Sequence, residues 1–336
     1  MYNYYYIVCF PNDSRTPKPV PNGYQTLSLK DLEGVEDIQV VPYPLHHLPF
    51  FLRYFYFVCS SKRLNRVIPQ WLIRMFYPFF FDKRSTTVKP YCFILIGGAN
   101  LPVGYLHYLK RKYPDCKIAW FFRDLVRVSE QRSPDSVHDK SIDIEMSYDN
   151  GEVQRYGMAY CPEYSSLIDL SGHDNYPSCD VFFCGKAKDR YERLIEYYRY
   201  LTGKGLKCHF FITEVPEKEQ IKEEGLFYNH FMPYKEMLFR SVNAKCLLDI
   251  NQKDAWGGYT SRFYEAIMYN RKLISDNPMT KHSSFFDQIN IIFVTQPEDI
   301  TDDYLSKIDA KVDYHYNGEF SPLRMIETVE NLLLQQ

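Results

Sequence analysis

The sequence predicts an α/β protein of two domains, each a parallel sheet wound with helices. Its 336 residues make about two domains at the usual ~150 residues apiece. Short apolar runs alternate with longer amphipathic ones in two separate series, as strands and crossover helices do around parallel sheets. Between the series, Ser171-Gly172-His173-Asp174-Asn175-Tyr176-Pro177-Ser178 gathers turn-forming residues and marks the join, within 164–178. The expected division is a first domain over 1–165, a second over 166–320, and a closing helix over 321–336 able to cross back onto the first.

The first series places strands at Tyr4 to Phe10, Asp37 to Val41, Tyr91 to Ile96, Lys117 to Phe122 and Ile142 to Tyr148, with a helix at Val103 to Arg111. The second is more regular. It reads strand Asp180 to Cys184, a helix from about Lys188 to Thr202, strand Lys207 to Thr213, a helix near Lys218 and strand Phe227 to His230. A helix at Tyr234 to Val242, strand Lys245 to Ile250, a helix from Thr260, and strands Lys272 to Ser275 and Ile291 to Val294 complete it. The last helix is expected at about Leu323 to Leu334.

A formal charge of -2 supplies no global positive field, which argues against nucleic acid as a partner. Nine cysteines, at 9, 59, 92, 116, 161, 179, 184, 208 and 246, form no C-x-x-C pair and sit mostly in apolar runs, so buried reduced thiols are expected. Met1 to Phe10 has neither a basic leader nor a long apolar stretch, so no signal peptide is read there and a cytoplasmic location is expected. The 30 tyrosines and 24 phenylalanines are enough to serve both cores and sugar sites.

Residues 45–84 interrupt the strand pattern with aromatic and basic residues. Seven Lys or Arg (53, 62, 63, 66, 74, 83, 84) stand against one acid, Asp82, around Phe50-Phe51-Leu52-Arg53-Tyr54-Phe55-Tyr56-Phe57-Val58 and Arg74-Met75-Phe76-Tyr77-Pro78-Phe79-Phe80-Phe81. No run reaches the ~18 apolar residues of a membrane span. The composition fits a surface lying on anionic lipid at the inner face of the plasma membrane. Core helices whose basic side chains reach out to solvent are the alternative.

The stretch Gly257-Gly258-Tyr259-Thr260-Ser261-Arg262-Phe263-Tyr264-Glu265-Ala266 reads as a phosphate-cradling helix start after the strand Cys246-Leu247-Leu248-Asp249-Ile250. Its free N–H groups suit a diphosphate, and Glu265, one turn on and on the face of Ser261 and Arg262, suits the two hydroxyls of a ribose. An ordinary amphipathic helix with a surface Arg262–Glu265 pair is the bland alternative. Two more strand ends share the edge. Gly185 allows close backbone approach, with Lys186 or Arg190 to neutralise a departing diphosphate, and Phe231-Met232-Pro233 offers a flat apolar wall for a nucleobase. A solvated basic turn explains the first as well. Neither G-x-G-x-x-G, G-x-x-x-x-G-K-[ST], H-E-x-x-H nor G-x-S-x-G occurs, and Gly203-Lys204-Gly205 ends a helix.

These passages resemble bacterial GT-B glycosyltransferases of the CgeB-like, capsule and lipopolysaccharide group, over roughly 90–300. Lys117-Ile118-Ala119-Trp120-Phe121-Phe122-Arg123-Asp124 is similar to the family's strand ending in an aromatic and an aspartate. Ile142 to Asp149 with Tyr156-Gly157 resembles its "Ser-x-Asp…Tyr-Gly" passage, and Val181-Phe182-Phe183-Cys184-Gly185 with Arg190-Tyr191 its "F-x-G…R-Y" opening. Thr260 to Ala266 resembles "T-x-R-x-x-E-A", whose glutamate binds the donor ribose. Gly257 stands where retaining relatives with a Glu-x7-Glu pair carry a glutamate, which leaves retention or inversion open. The resemblance implies two Rossmann-like domains facing each other across a cleft, and transfer of a sugar from a nucleotide sugar to a glycan or lipid-linked acceptor, without metal or other cofactor. It implies donor contacts from Gly185, Lys186, Arg190, Met232, Pro233, Tyr259, Thr260, Ser261, Arg262 and Glu265. For an inverting reaction Asp124 is the first candidate base, with Asp149 and His107 weaker. Asp124 capping a helix or pairing with Arg127 is the structural alternative. A GT-B-type nucleotide-sugar epimerase and a non-catalytic polysaccharide-associated binding protein are the rival readings.

Overall fold

The computed structural model describes residues 5–9, 23–41, 45, 48–60, 68–80, 91–97, 104–123, 125–126, 139–253 and 257–335. The chain divides into two compact units, Met1–Leu167 with Phe320–Gln336, and Ile168–Glu319. Each carries a six-stranded sheet whose neighbours all pair in parallel.

In unit 1 the strands are β1 (Tyr5–Cys9), β2 (Ile38–Val41), β3 (Cys92–Ile96), β4 (Lys117–Phe122), β5 (Ile144–Ser147) and β6 (Ala159–Tyr160), in the order β2-β1-β3-β4-β5-β6. Its helices are α1 (Gly23–Ser28), α2 (Phe50–Ser60), α3 (Gln70–Arg74), α4 (Tyr105–Lys112), α5 (Asn150–Tyr156) and, from the far end of the chain, α10 (Pro322–Leu334). β3, and β4 after its opening Lys117, are apolar because helices cover a parallel sheet on both faces. Alternate residues feed two cores. Phe93, Leu95, Trp120 and Phe122 join Ile73, Phe76, Leu106 and Leu109 on one face. Ile94, Ile96, Ala119 and Phe121 join Leu29, Met325, Ile326, Val329 and Leu333 on the other, so α10 completes the core of unit 1.

Unit 2 contains β7 (Cys179–Lys186), β8 (Cys208–Thr213), β9 (Leu226–Tyr228), β10 (Ala244–Asp249), β11 (Lys272–Ser275) and β12 (Ile291–Phe293). The helices are α6 (Tyr191–Gly203), α7 (Tyr234–Val242), α8 (Ser261–Met268) and α9 (Asp302–Ser306). The strand order β12-β11-β10-β7-β8-β9 steps outward in both directions from the β7–β10 pair. Open α/β sheets take ligands in the crevice beyond the carboxyl ends of the strands at such a reversal. Val181, Phe183, Phe210, Ile212, Cys246, Leu248 and Ile274 pack against α6 through Leu194, Tyr197, Tyr198 and Leu201.

Both units are doubly wound α/β layers, as the alternation of apolar and amphipathic runs predicts. The differences are local. Short α1, α5 and α9 and the two-residue β6 lack the length for a readable period. The helix expected near Lys218 is one 3-10 turn, Glu217–Glu219, and the helix expected from Lys188 begins as another, Lys188–Arg190, before α6. Gly205, at φ +84°, sits in the left-handed region after α6, where its N–H reaches the Thr202 carbonyl.

Candidate functional site

The carboxyl edge of the unit 2 sheet, around the β7–β10 junction, brings together most of the residues that sequence reasoning singled out. α8 begins there because Thr260, extended at φ -87° and ψ 166°, caps it, Oγ1 accepting from the Phe263 N–H at 3.4 Å. The Thr260 hydroxyl in turn donates to Asp249, at the end of β10. The N–H groups of Ser261 and Arg262 in the first turn have no partner among the described residues. Tyr259 stacks on Phe263 with ring centroids 4.2 Å apart, fixing the chain where it enters the helix. Beneath it, Asn277 donates from Nδ2 to the Gly258 carbonyl at 2.8 Å, which pins the glycine pair.

Two arginines converge on Gly185. Arg190 is buried and donates to the carbonyls of Lys186 (3.2 Å from Nε, 3.1 Å from Nη2) and Ile250, so it ties the end of β7 to the end of β10. Arg262 donates to the Cys184 carbonyl and lies 3.7 Å from Asp249. Both guanidinium groups lie over the Phe183 ring, at 5.4 and 4.8 Å. A Cβ on Gly185 would stand 2.6 Å from one Arg262 nitrogen and 3.2 Å from one of Arg190, so the glycine is needed for the arginines' own approach. Burial lowers the Arg190 pKa to about 10, and the like charge of Arg262 adds to the drop. Arg190 is thus hydrogen-bonded by carbonyls, while Asp249, paired with Arg262, and the nearby Asp276 and Asp189 offset part of the drop.

The acids complete the edge. Glu265 is 4% exposed, and its Oε1 finds no hydrogen-bond partner. Burial pushes its carboxyl up to about 7, against the opposing pull of Arg262 and a hydrogen bond from Tyr234. Asp249, fully buried, is likewise raised by desolvation. It accepts from Ser275 at 3.0 Å through Oδ2 and leaves Oδ1 without a hydrogen bond. Asp276, after β11, pairs with Arg193 of α6 and accepts from the Asn251 N–H at 2.8 Å and its Nδ2 at 3.0 Å. Sequence reading missed Asp249, Asp276, Asn277, Arg193 and Tyr234. Asp249 hides in an apolar strand run, and the others act through partners from 19 to 83 residues away.

Lys186 is exposed and paired with Glu214 at 2.6 Å, so it stands at the edge rather than inside it. Met232 is half-buried and Pro233 exposed, directly before α7. The Tyr234 hydroxyl bonded to Glu265 draws this loop to α8. In unit 1, Asp149 is buried as the N-cap of α5, with Oδ1 accepting from the Glu152 N–H at 2.9 Å. One carboxylate oxygen is thereby committed to the helix. His107 is exposed, 3.9 Å from Asp139. Asp124 lies outside the described residues.

No protein-family model matches the chain, and no curated protein matches it. Solved structures do match. The catalytic domain of starch synthase IV from Arabidopsis thaliana, bound to ADP and acarbose, superposes with a TM-score of 0.54 at 9% identity, covering 100% of this chain and 99% of that one. The fold is GT-B. UDP-GlcNAc 2-epimerase from Neisseria meningitidis, bound to UDP-GlcNAc, gives a TM-score of 0.50 at 9% identity over 98% of this chain and 100% of its own. The GT-B fold therefore spans the whole chain, while at this identity the neighbours leave its chemistry to be argued from its own residues.

Proposed function

We propose that the protein is a glycosyltransferase of the hexosyl-transferring kind, using a nucleotide diphosphate sugar bound at the carboxyl edge of unit 2. The observation that carries the reading is Glu265. A carboxylate buried with one oxygen unpartnered is costly unless a ligand supplies the missing donor. It stands one turn inside a helix whose first N–H groups are unpartnered, where a ribose hydroxyl pair and the attached diphosphate meet both needs at once. Arg262, Arg190 and the α8 N-terminus supply the positive field for the leaving diphosphate, so the reading requires no metal. The acceptor oxygen forms its bond to the anomeric carbon as the bond from that carbon to the β-phosphate oxygen breaks. The nucleoside diphosphate leaves with the electron pair. The acceptor proton passes to a protein base if configuration inverts, Asp124 being the candidate, or to the departing phosphate if it is retained.

The resemblance of Thr260 to Ala266 and of the Gly185 to Arg190 passage supports a place in surface polysaccharide synthesis, with a glycan or lipid-linked glycan as acceptor. The eight described cysteines are all free, which supports a cytoplasmic setting. A nucleotide-sugar epimerase is the second reading. It uses the same kind of donor, and the Neisseria epimerase bound to UDP-GlcNAc shares the fold.

A thermal-shift series with UDP, GDP, CMP, dTDP and ADP, with and without EDTA, tests the donor site. One nucleotide should raise the melting temperature in EDTA as well as without it, by about 2.7 kcal/mol of stabilisation at 100-fold excess over Kd. Glu265→Ala should abolish the rise. No response to any nucleotide would leave a non-catalytic binding protein as the better reading. NMR of the sugar product then separates transfer from epimerisation, and Asp124→Asn should stop only an inverting transfer.

A further inference from the structure

Among the described residues, unit 1 carries an apolar surface exposed along α2 and α3. α2 turns Leu52, Tyr56 and Cys59 toward the core. On its other side Phe50, Phe51, Tyr54, Phe55 and Val58 recur one helical turn apart and are all exposed, Phe51 by 67%. Trp71, 60% exposed, and Met75, four residues later, extend the surface along and beyond α3. A helix that is apolar on both sides is ordinarily covered on both. Patches of this kind mark a surface that meets lipid or protein.

Charge decides between the occupants. Residues 45–84 hold seven Lys or Arg against the single acid Asp82, and α2 contains no acid at all. On α2 and α3 the basic residues are Arg53 and Arg74, with no acid beside them, and a symmetric contact with a second copy would set like charge against like. An anionic bilayer accepts both features: headgroups attract the bases, and Trp, Tyr and Phe rings settle at the acyl boundary. Among the described residues no helix is long and apolar enough to cross a membrane, so the contact is one of lying on the surface.

We infer that the α2–α3 face docks the protein onto an anionic lipid bilayer. The inference stands without the donor-site reading. Joined to it, the acceptor is a lipid-linked glycan presented at the same surface.

Co-sedimentation of the full chain with vesicles tests it, using phosphatidylglycerol mixed into phosphatidylcholine against phosphatidylcholine alone. Binding to the anionic vesicles should exceed that to neutral ones by about tenfold or more at ~0.1 M salt, and fall steeply at ~0.5 M salt as screening shortens. The triple variant Phe50→Ser, Phe51→Ser, Trp71→Ser should lose at least about tenfold in anionic-vesicle binding, since each ring withdrawn from water is worth about a factor of ten. These rings already face solvent, so its melting temperature and nucleotide response should match the parent. Equal binding by the triple variant, or no sedimentation with anionic vesicles, overturns the inference. So does a concentration-dependent dimer in analytical ultracentrifugation that the triple variant abolishes, because a second copy then covers the face. Vesicle binding without a nucleotide response would sink the donor reading alone, and the converse would sink this inference alone.

Discussion

Arg123 in unit 1 and Arg190 in unit 2 both follow the carboxyl end of a strand, and both keep the side chain largely out of water, yet they are satisfied in different ways. Arg123 is sandwiched between the rings of Tyr24 and Tyr164, each 4.5 Å away, and is bonded to Glu163 and to Ser28 Oγ at 3.2 Å. Desolvation works against its charge, but Glu163 more than restores it and holds the pKa well above the ordinary value. Arg190 has carbonyls for partners and Arg262 beside it, and its pKa falls to about 10. A guanidinium neutralised in place is part of the framework. One hydrogen-bonded only to carbonyls, beside another of its kind, is what the proposed anion seat calls for.

If that contrast is right, Arg123→Ala strands the buried Glu163 and should cost ~3–5 kcal/mol in urea unfolding, the largest effect in the molecule. Arg190→Met should cost less stability while abolishing the nucleotide-induced melting shift. Equal losses in both variants would erase the distinction.

Glu265 sharpens the contrast through pH. Its carboxyl sits at about 7 folded against a usual 4.5, so over that window the folded state binds the extra proton. Stability should therefore fall as pH rises from about 4.5 to 7, by ~3 kcal/mol in all from this group, and Glu265→Gln should remove that slope. Nucleotide affinity should move the other way, rising through the same window because the ribose needs the ionised form. Urea midpoints at pH 5 and pH 8, with and without nucleotide, read both.

Smaller effects follow from the supports. Asn277→Ala frees the Gly258 carbonyl from its partner and should cost ~1–3 kcal/mol, with a raised donor KM in a transfer assay. Thr260→Ala removes a cap for ~1 kcal/mol, read as a lower melting temperature and a weakened nucleotide response.

Local chemistry was legible in the sequence. The α8 start announced itself because a cap acts within three residues, and the strands of both sheets except β6 were legible because burial on two faces leaves an apolar run. Partnerships at long range were not. The sequence offered Arg190 as a phosphate ligand, but its bonds to Lys186 and to Ile250, 60 residues further along the chain, tie two strand ends together. Asp249 read as one polar residue in a strand until Ser275, Thr260 and Arg262 were gathered around it. α5 carried clear signals in Asp149 and Gly157, a cap at each end, but seven residues gave no period to confirm them.

The return of α10 to the core of unit 1 makes unit 2 an insertion within it. During synthesis the continuous stretch Ile168–Glu319 leaves the ribosome before unit 1 has its last helix. The second half of the chain can therefore mature first, while Ile94, Ala119 and Phe121 wait for Met325, Ile326 and Val329 to cover them.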